Sequence, residues 1–145
     1  MRLVIQRVSR AAVRVEQRLV GNIGPGVLIL LGVHADDGEE QVRYLAQKVA
    51  ELRIFEDAGQ KMNFSLVDVG GAALVVSQFT LFGDCSKGRR PNFMQAAPPE
   101  KGRALYEYFV EQLSERVGDV QTGEFGAMMA VELVNDGPVT LILER

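Results

Sequence analysis

Residues 27–33, VLILLGV, run apolar without alternation. A strand with one wet face alternates in polarity, whereas a run like this is covered on both faces. It is short, rich in branched side chains and follows the turn formers of NIGPG, so it reads as a central strand rather than a helix. Even extended to 26–33 it is far too short to span a bilayer. Whatever fold the chain adopts must place other strands beside this one and cover it.

The neighbours are legible. LVIQRVS and AAVRVEQ, at 3–9 and 11–17, read as two strands, the second alternating Ala11, Val13 and Val15 with Ala12, Arg14 and Glu16. AALVVSQFTLF, 72–82, reads as one long strand, and VQTGEFGAMMAVELV and VTLILE as two more joined by the turn NDGP. Two helices cover them. In 36–55, Val42, Leu45, Ala46, Val49 and Leu52 mark one face after a capping box of Asp37 and Glu40, and Arg53 to Phe55 turns strand-like. In 100–117, Leu105, Tyr108, Phe109 and Leu113 share a face after Pro99, which suits a helix start. EDAGQKMNFSLVDVGG reads as a loop with a short strand, and GDCSKGRRPNFMQAAPP, 83–99, as the one long irregular stretch. The expectation is an α+β fold: a compact, β-barrel-like antiparallel or mixed sheet with flanking helices, as a single domain over 1–145.

Composition narrows the chemistry. Hydrophobic residues are 47%, charged residues 24% and the net charge is −3, which argues against a broadly basic nucleic-acid coat but leaves room for a local phosphate contact. Cys85 is the one cysteine and His34 the one histidine. No internal disulfide is possible, and the opening MRLVIQRVSR mixes charge into its apolar residues unlike a signal peptide, so the expected compartment is the cytoplasm, with no membrane segment. A four-ligand zinc site lacks ligands; a carboxylate site stays open, although HADDGEE is better explained as a turn and a helix start. His34 reads either as a catalytic base or as an ordinary strand-end histidine, the latter being the simpler account. Cys85, beside Lys87, has no base at hand. GNIGPG lacks both the GxGxxG arrangement and a following helix, so it is a hairpin turn and not a nucleotide loop. No cofactor and no metal are expected.

Hydroxyls and backbone remain. Ser77 and Thr80 sit on opposite faces of a regular strand and reach one pocket only if the strand bends near Gly83; strand-end amides there can stabilise an oxyanion without a histidine. The plain alternative is a core strand whose hydroxyls satisfy their neighbours. Lys87, Arg89 and Arg90, followed by Phe93, are either a solvated loop or a phosphate clamp with an aromatic beside it, which Arg7, Arg10 and Arg14 extend. Gly137 and Pro138 are either a turn or a rigid backbone corner that is itself the functional object.

VVSQFTLFGD at 75–84 and LVNDGPVTLILE at 133–144 resemble the two signature regions of the bacterial-type D-aminoacyl-tRNA deacylases. LVIQRVSRAAVRVE at 3–16, LRIFEDAGQKMN at 52–63, KGRRPNF at 87–93 and TGEFGAMM at 122–129 are similar to that family too, so the resemblance covers essentially the whole chain, and neither signature departs from the pattern. The resemblance implies a cytoplasmic homodimer that hydrolyses the ester joining a D-amino acid to the terminal adenosine of tRNA, and that also removes glycine mischarged on tRNA(Ala). It implies an active-site strand motif at Ser77, Gln78, Phe79 and Thr80. A Gly-cis-Pro motif falls on Gly137 and Pro138, entering the other subunit's site and rejecting L-amino acids, and Arg7 resembles the arginine that fixes it. It further implies an adenosine pocket shaped by Phe125, Gly126, Ala127 and Met129, with Lys87, Arg89 and Arg90 on the RNA. Water, helped by the RNA 2′-OH, is the implied nucleophile, with Thr80 as the alternative. Two other readings stand beside this one: a small aminoacyl-ester hydrolase that needs no RNA, and a non-catalytic RNA-binding module.

Overall fold

In the computed structural model, which describes residues 1–145, the apolar run forms strand β3 (Gly26–Gly32). One edge pairs antiparallel with β1 (Arg2–Val15), the other parallel with β6 (Ala72–Ser77). Both faces are covered, which is why the sequence does not alternate. Ile29, Leu31, Ala73 and Val75 face a core of 22 buried residues shared with two helices. Leu28, Leu74 and Val76 face a smaller core of 8, shared with Val8, Ala11 and Val13. The mixed sheet is completed by β2 (Arg18–Ile23), by β7 (Val120–Thr122) parallel to β6, and by β8 (Ala130–Glu144) on the free edge of β1. The result is an α+β fold with a nearly closed, barrel-like sheet and flanking helices.

Closure comes from β1, expected as two strands and found as one of 14 residues. The pairs Ala11–Ile23 and Val8–Gly26 show β2 and β3 following one another along a single edge of β1, interrupted at Gly24–Pro25. The polar break that suggested two strands is a bulge: Ser9 is an extra residue opposite the pairs Val8–Asn135 and Arg10–Val134. Around it the strand curls, bringing Val8, Ala11 and Val13 over Leu28, Leu74 and Val76. A two-residue turn, Glu16–Gln17, with φ of 49° and 66°, joins β1 to β2.

NDGP does not reverse the chain either. It lies inside β8, which pairs with β1 on both sides of it. The pairs Val8–Asn135 and Gln6–Thr140 bracket one residue of β1, Arg7, and four of β8, 136–139. The surplus pushes Asp136, Gly137 and Pro138 outward as an exposed corner.

Both helices form where periodicity placed them, with two corrections. Helix α1 (Glu39–Glu51) buries Val42, Leu45, Ala46, Val49 and Ala50, with Leu52 packed at its end. Its cap is Gly38, whose N–H donates to the Gln41 side chain at 2.9 Å. Asp37 is drawn away from capping because it accepts from the Met1 amino group at 2.5 Å and from the His34 N–H at 2.6 Å. Helix α2 (Pro99–Ser114) starts at Pro99 and buries Gly102, Leu105, Tyr106, Phe109 and Leu113. Tyr106, not Tyr108, is on the inner stripe, since it sits four residues from Gly102 and three from Phe109. A small ribbon of β4 (Phe55–Glu56) and β5 (Met62–Phe64) fills the segment after α1. No helix is long and apolar enough to cross a membrane.

Candidate active site

The strand expected over 72–82 stops at Ser77. Gln78 donates its N–H to the Leu31 carbonyl at 2.8 Å, the last rung to β3, and its ψ of 77° turns the chain out of the sheet. A 3₁₀ turn, Phe79–Phe82, follows, closed by Leu81 N–H to Gln78 O at 3.2 Å and Gly83 N–H to Thr80 O at 2.9 Å. The bend does not unite the two hydroxyls. Ser77 lines a cleft at the strand end, whereas Thr80 is exposed, outside the lining and in contact with the Gln78 amide.

That cleft has a volume of about 620 Å³. Ser77, Gln78 and Phe79 form one side, beside the ends of β3 at Leu31 and Val33. The segment Phe125, Gly126, Ala127, Met128 and Met129 forms another, leading into Val131 of β8. Of its 17 lining residues 12 are hydrophobic, which suits a flat, largely apolar group held by a few polar atoms. Phe125 is wedged in place: the Arg103 guanidinium lies 4.7 Å from its ring centre and the Tyr106 ring 5.8 Å away. Tyr106 in turn donates its hydroxyl to the Val75 carbonyl at 2.9 Å, and burial pushes its phenol up to about 12. Phe79 meets Phe93 edge to face at 5.2 Å. Sequence reasoning missed Pro99 and Gly102, the first turn of α2 that closes the cleft beside Phe125. A glycine inside an otherwise strong helical pattern was the available signal.

Lys87, Arg89 and Arg90 stand apart from the lining. They are exposed on a loop pinned at its base by paired backbone bonds between Asp84 and Asn92, at 2.7 and 2.9 Å. Hydrogen bonds from the hydroxyl and N–H of Ser86 hold the Asp84 carboxyl below its ordinary range. The irregular stretch reaches the cleft at Phe93, Ala96 and Ala97, beyond the basic residues. His34 is also outside: its Nδ1 accepts from the Asp36 N–H at 3.1 Å, and its ring packs on Phe82 at 5.2 Å. Cys85 is exposed on the loop.

The corner is a separate construction. The Gly137–Pro138 peptide bond is cis, and Gly137 has φ of +122°. Arg7, 5% exposed, backs it. Its Nε donates to the Asp136 carbonyl at 3.2 Å, its Nη1 to the Ile54 carbonyl at 2.7 Å, and the Glu56 and Asp136 carboxylates stand at 3.6 and 3.5 Å. Asn135 ties off the other side, accepting from the Val139 N–H at 3.2 Å and donating to Thr140 Oγ1 at 2.9 Å. None of these residues lines the cleft of the same chain.

Residues 4–144 match the family model described as D-Tyr-tRNA(Tyr) deacylase. The chain is 60% identical over 144 residues to a D-aminoacyl-tRNA deacylase of Shouchella clausii, covering 99% of both proteins. It is also 60% identical to one of Koribacter versatilis, over 99% of this chain and 97% of that one. Among solved structures it is similar to the c-Myc DNA Unwinding Element Binding Protein, with a TM-score of 0.94 and 40% identity over 100% of this chain and 99% of that one. A probable eukaryotic D-amino acid tRNA deacylase shares the fold, with a TM-score of 0.85 and 21% identity over 98% of this chain and 97% of that one. By sequence along nearly its whole length, and by fold, this chain belongs to the D-aminoacyl-tRNA deacylase family of hydrolases.

Proposed function

We propose that the chain acts in the cytoplasm as a homodimer, cleaving the ester between a D-amino acid and the terminal adenosine of tRNA, with each cleft completed by the partner's Gly137–Pro138 corner. One observation carries the dimeric reading: the corner is exposed and firmly backed by Arg7, yet it lies outside the cleft formed by Ser77–Phe79 and Phe125–Met129. A second copy supplies what one copy leaves apart. An exposed apolar residue of β8, Ile142 at 65%, gives such an association surface to bury.

In this reading the adenosine lies along Phe125–Met129, and Lys87, Arg89 and Arg90 contact the RNA backbone. The amino acid sits toward Ser77–Phe79. Carbonyls at the partner's corner accept from its α-amino group and leave no room for an L side chain, whereas a D side chain points outward. Selectivity is then a difference between two fits, set by backbone, so side-chain identity hardly matters. Glycine has nothing to exclude, and glycyl-tRNA, including glycine mischarged on tRNA(Ala), is a substrate.

Water adds to the ester carbonyl carbon, the bond to the ribose oxygen breaks, and the proton ends on that oxygen, with the neighbouring ribose hydroxyl assisting. The first amides of the turn, at Phe79 and Thr80, have no partner within the turn and hold the developing negative charge. Positioning supplies most of the rest. Thr80 makes a poor nucleophile, since its side-chain neighbour is an amide and not a base. The test is one time course with D-, L- and glycyl-tRNA: release from the first and third with the second intact is expected, and equal turnover of both mirror images refutes the reading.

A further inference from the structure

The cleft continues beyond its apolar wall. Met128 and Met129 line it and also line a second, shallower groove of about 320 Å³. Arg14, Glu16, Gln17 and Ala130 bound that groove at the β1–β2 turn. Met128, at the junction, is 92% exposed. A chain leaving the cleft across Met128 therefore arrives beside the Arg14 guanidinium.

Arg14 has a companion. Arg10 and Arg14 are both exposed and alternate along the outer face of β1 with half-buried Ala12 between them. Four residues of strand separate them, about 13 Å. Opposite stand Val134, Glu132 and Ala130 of β8. Neighbouring Arg18 is neutralised by Glu124 at 3.3 Å, whereas neither Arg10 nor Arg14 pairs with a carboxylate, although Glu16 and Glu132 share their surroundings. On a chain of net charge −3, two guanidiniums without a carboxylate partner, one of them lining the groove, form a local cationic track.

We propose that this groove carries the unpaired 3′ strand of the RNA away from the cleft. The phosphate 5′ to the terminal nucleoside crosses Met128 to Arg14, the thioether gives the next base an apolar seat, and a further phosphate reaches Arg10. The inference rests on the function proposed above and adds the path of the substrate. It assigns the single strand to the Met128 side of the cleft, not to the Phe93 side, where Lys87, Arg89 and Arg90 stand.

The test compares wild type with R10Q/R14Q on two substrates, D-aminoacyl-tRNA and the D-aminoacyl ester of adenosine, which lacks that phosphate, from 50 to about 300 mM KCl. For tRNA, KM should rise about tenfold with kcat unchanged, and the slope of log affinity against log salt should fall by about 1.4, two contacts at ~0.7 each. The adenosine ester should be cleaved by both proteins within about twofold. Unchanged KM and slope for tRNA, or equal losses on both substrates, overturn the track. So does a change in slope half as large in R116Q, which removes one guanidinium just past the C-terminal end of α2 and would make the effect one of net charge alone. If wild type releases no D-amino acid, the function falls independently, and the slope of tRNA binding without turnover still decides the groove.

Discussion

The cleft and the corner are built on opposite physical plans. The cleft is a gap between element ends: β6 breaks off, a 3₁₀ turn begins, α2 starts, and mostly apolar side chains line the space. The corner is surplus backbone on a strand that never breaks, four residues held against one, with a buried arginine spending its donors on carbonyls behind it. One region is shaped to receive, the other to be presented. They are apart within one chain, and in the dimer proposed above a second copy brings a rigid corner to each receptacle.

The harshest way to break this comparison is to disturb the corner without touching the cleft. Gly137→Ala puts a Cβ at a φ of +122°, 2.9 Å from the Arg7 guanidinium. Deacylation of D-aminoacyl-tRNA in single turnover should fall about a hundredfold, the scale of an ångström's misplacement. Strain at that φ should also cost about 1–3 kcal/mol in denaturant unfolding, too little to unfold the chain and so to account for the lost activity. Wild-type turnover would mean that the corner's shape is immaterial. Arg7→Gln strikes the support instead. It leaves the Ile54 and Asp136 carbonyls short of donors, costing about 2–3 kcal/mol in denaturant unfolding. Activity should drop roughly tenfold as the corner loosens. A variant that loses stability but keeps full selectivity would separate Arg7 from chiral discrimination.

Cleft variants sharpen the other side. Tyr106→Phe removes the donor to the Val75 carbonyl and should cost about 1 kcal/mol. Burial raises the folded-state pKa of Tyr106 to about 12, while an unfolded tyrosine ionises near 10, so its contribution is complete below pH 10 and is lost between pH 10 and 12. Ultraviolet titration should find one late-ionising phenol, absent in Tyr106→Phe. Smallest of all is Thr80→Ala, expected within about threefold of wild-type kcat; a loss beyond a thousandfold with binding intact would restore Thr80 as nucleophile.

Much of this was legible in the residues, and the failures share a cause. The apolar run at 27–33, the α1 stripe and the Pro99 helix start each depend on local pattern, and the chain folds as the pattern reads. Ser9, Asp136–Val139 and Phe79–Phe82 were misread because a polar cluster, a GP pair and an apolar run look alike whether they end a strand, bulge it or bend it. Only the partner strand's register decides. Asp37 was assigned to a helix cap because nothing local announces the Met1 amino group 36 residues away. In the cleft, the signature residues Ser77, Gln78, Phe79 and Phe125–Met129 converge. Arg7, Gly137 and Pro138 gather elsewhere, a separation that no spacing along the chain encodes.

Subunit complementation tests the central claim most directly. A chain with a spoiled corner, Gly137→Ala, is co-folded with one whose cleft is filled, Ala127→Trp, each nearly inactive alone. If corners act across the twofold, half of the mixed pairs' clefts meet an intact corner, and activity should return to about a quarter of wild type. Activity no higher than the sum of the two parents would mean that each corner serves its own chain or none.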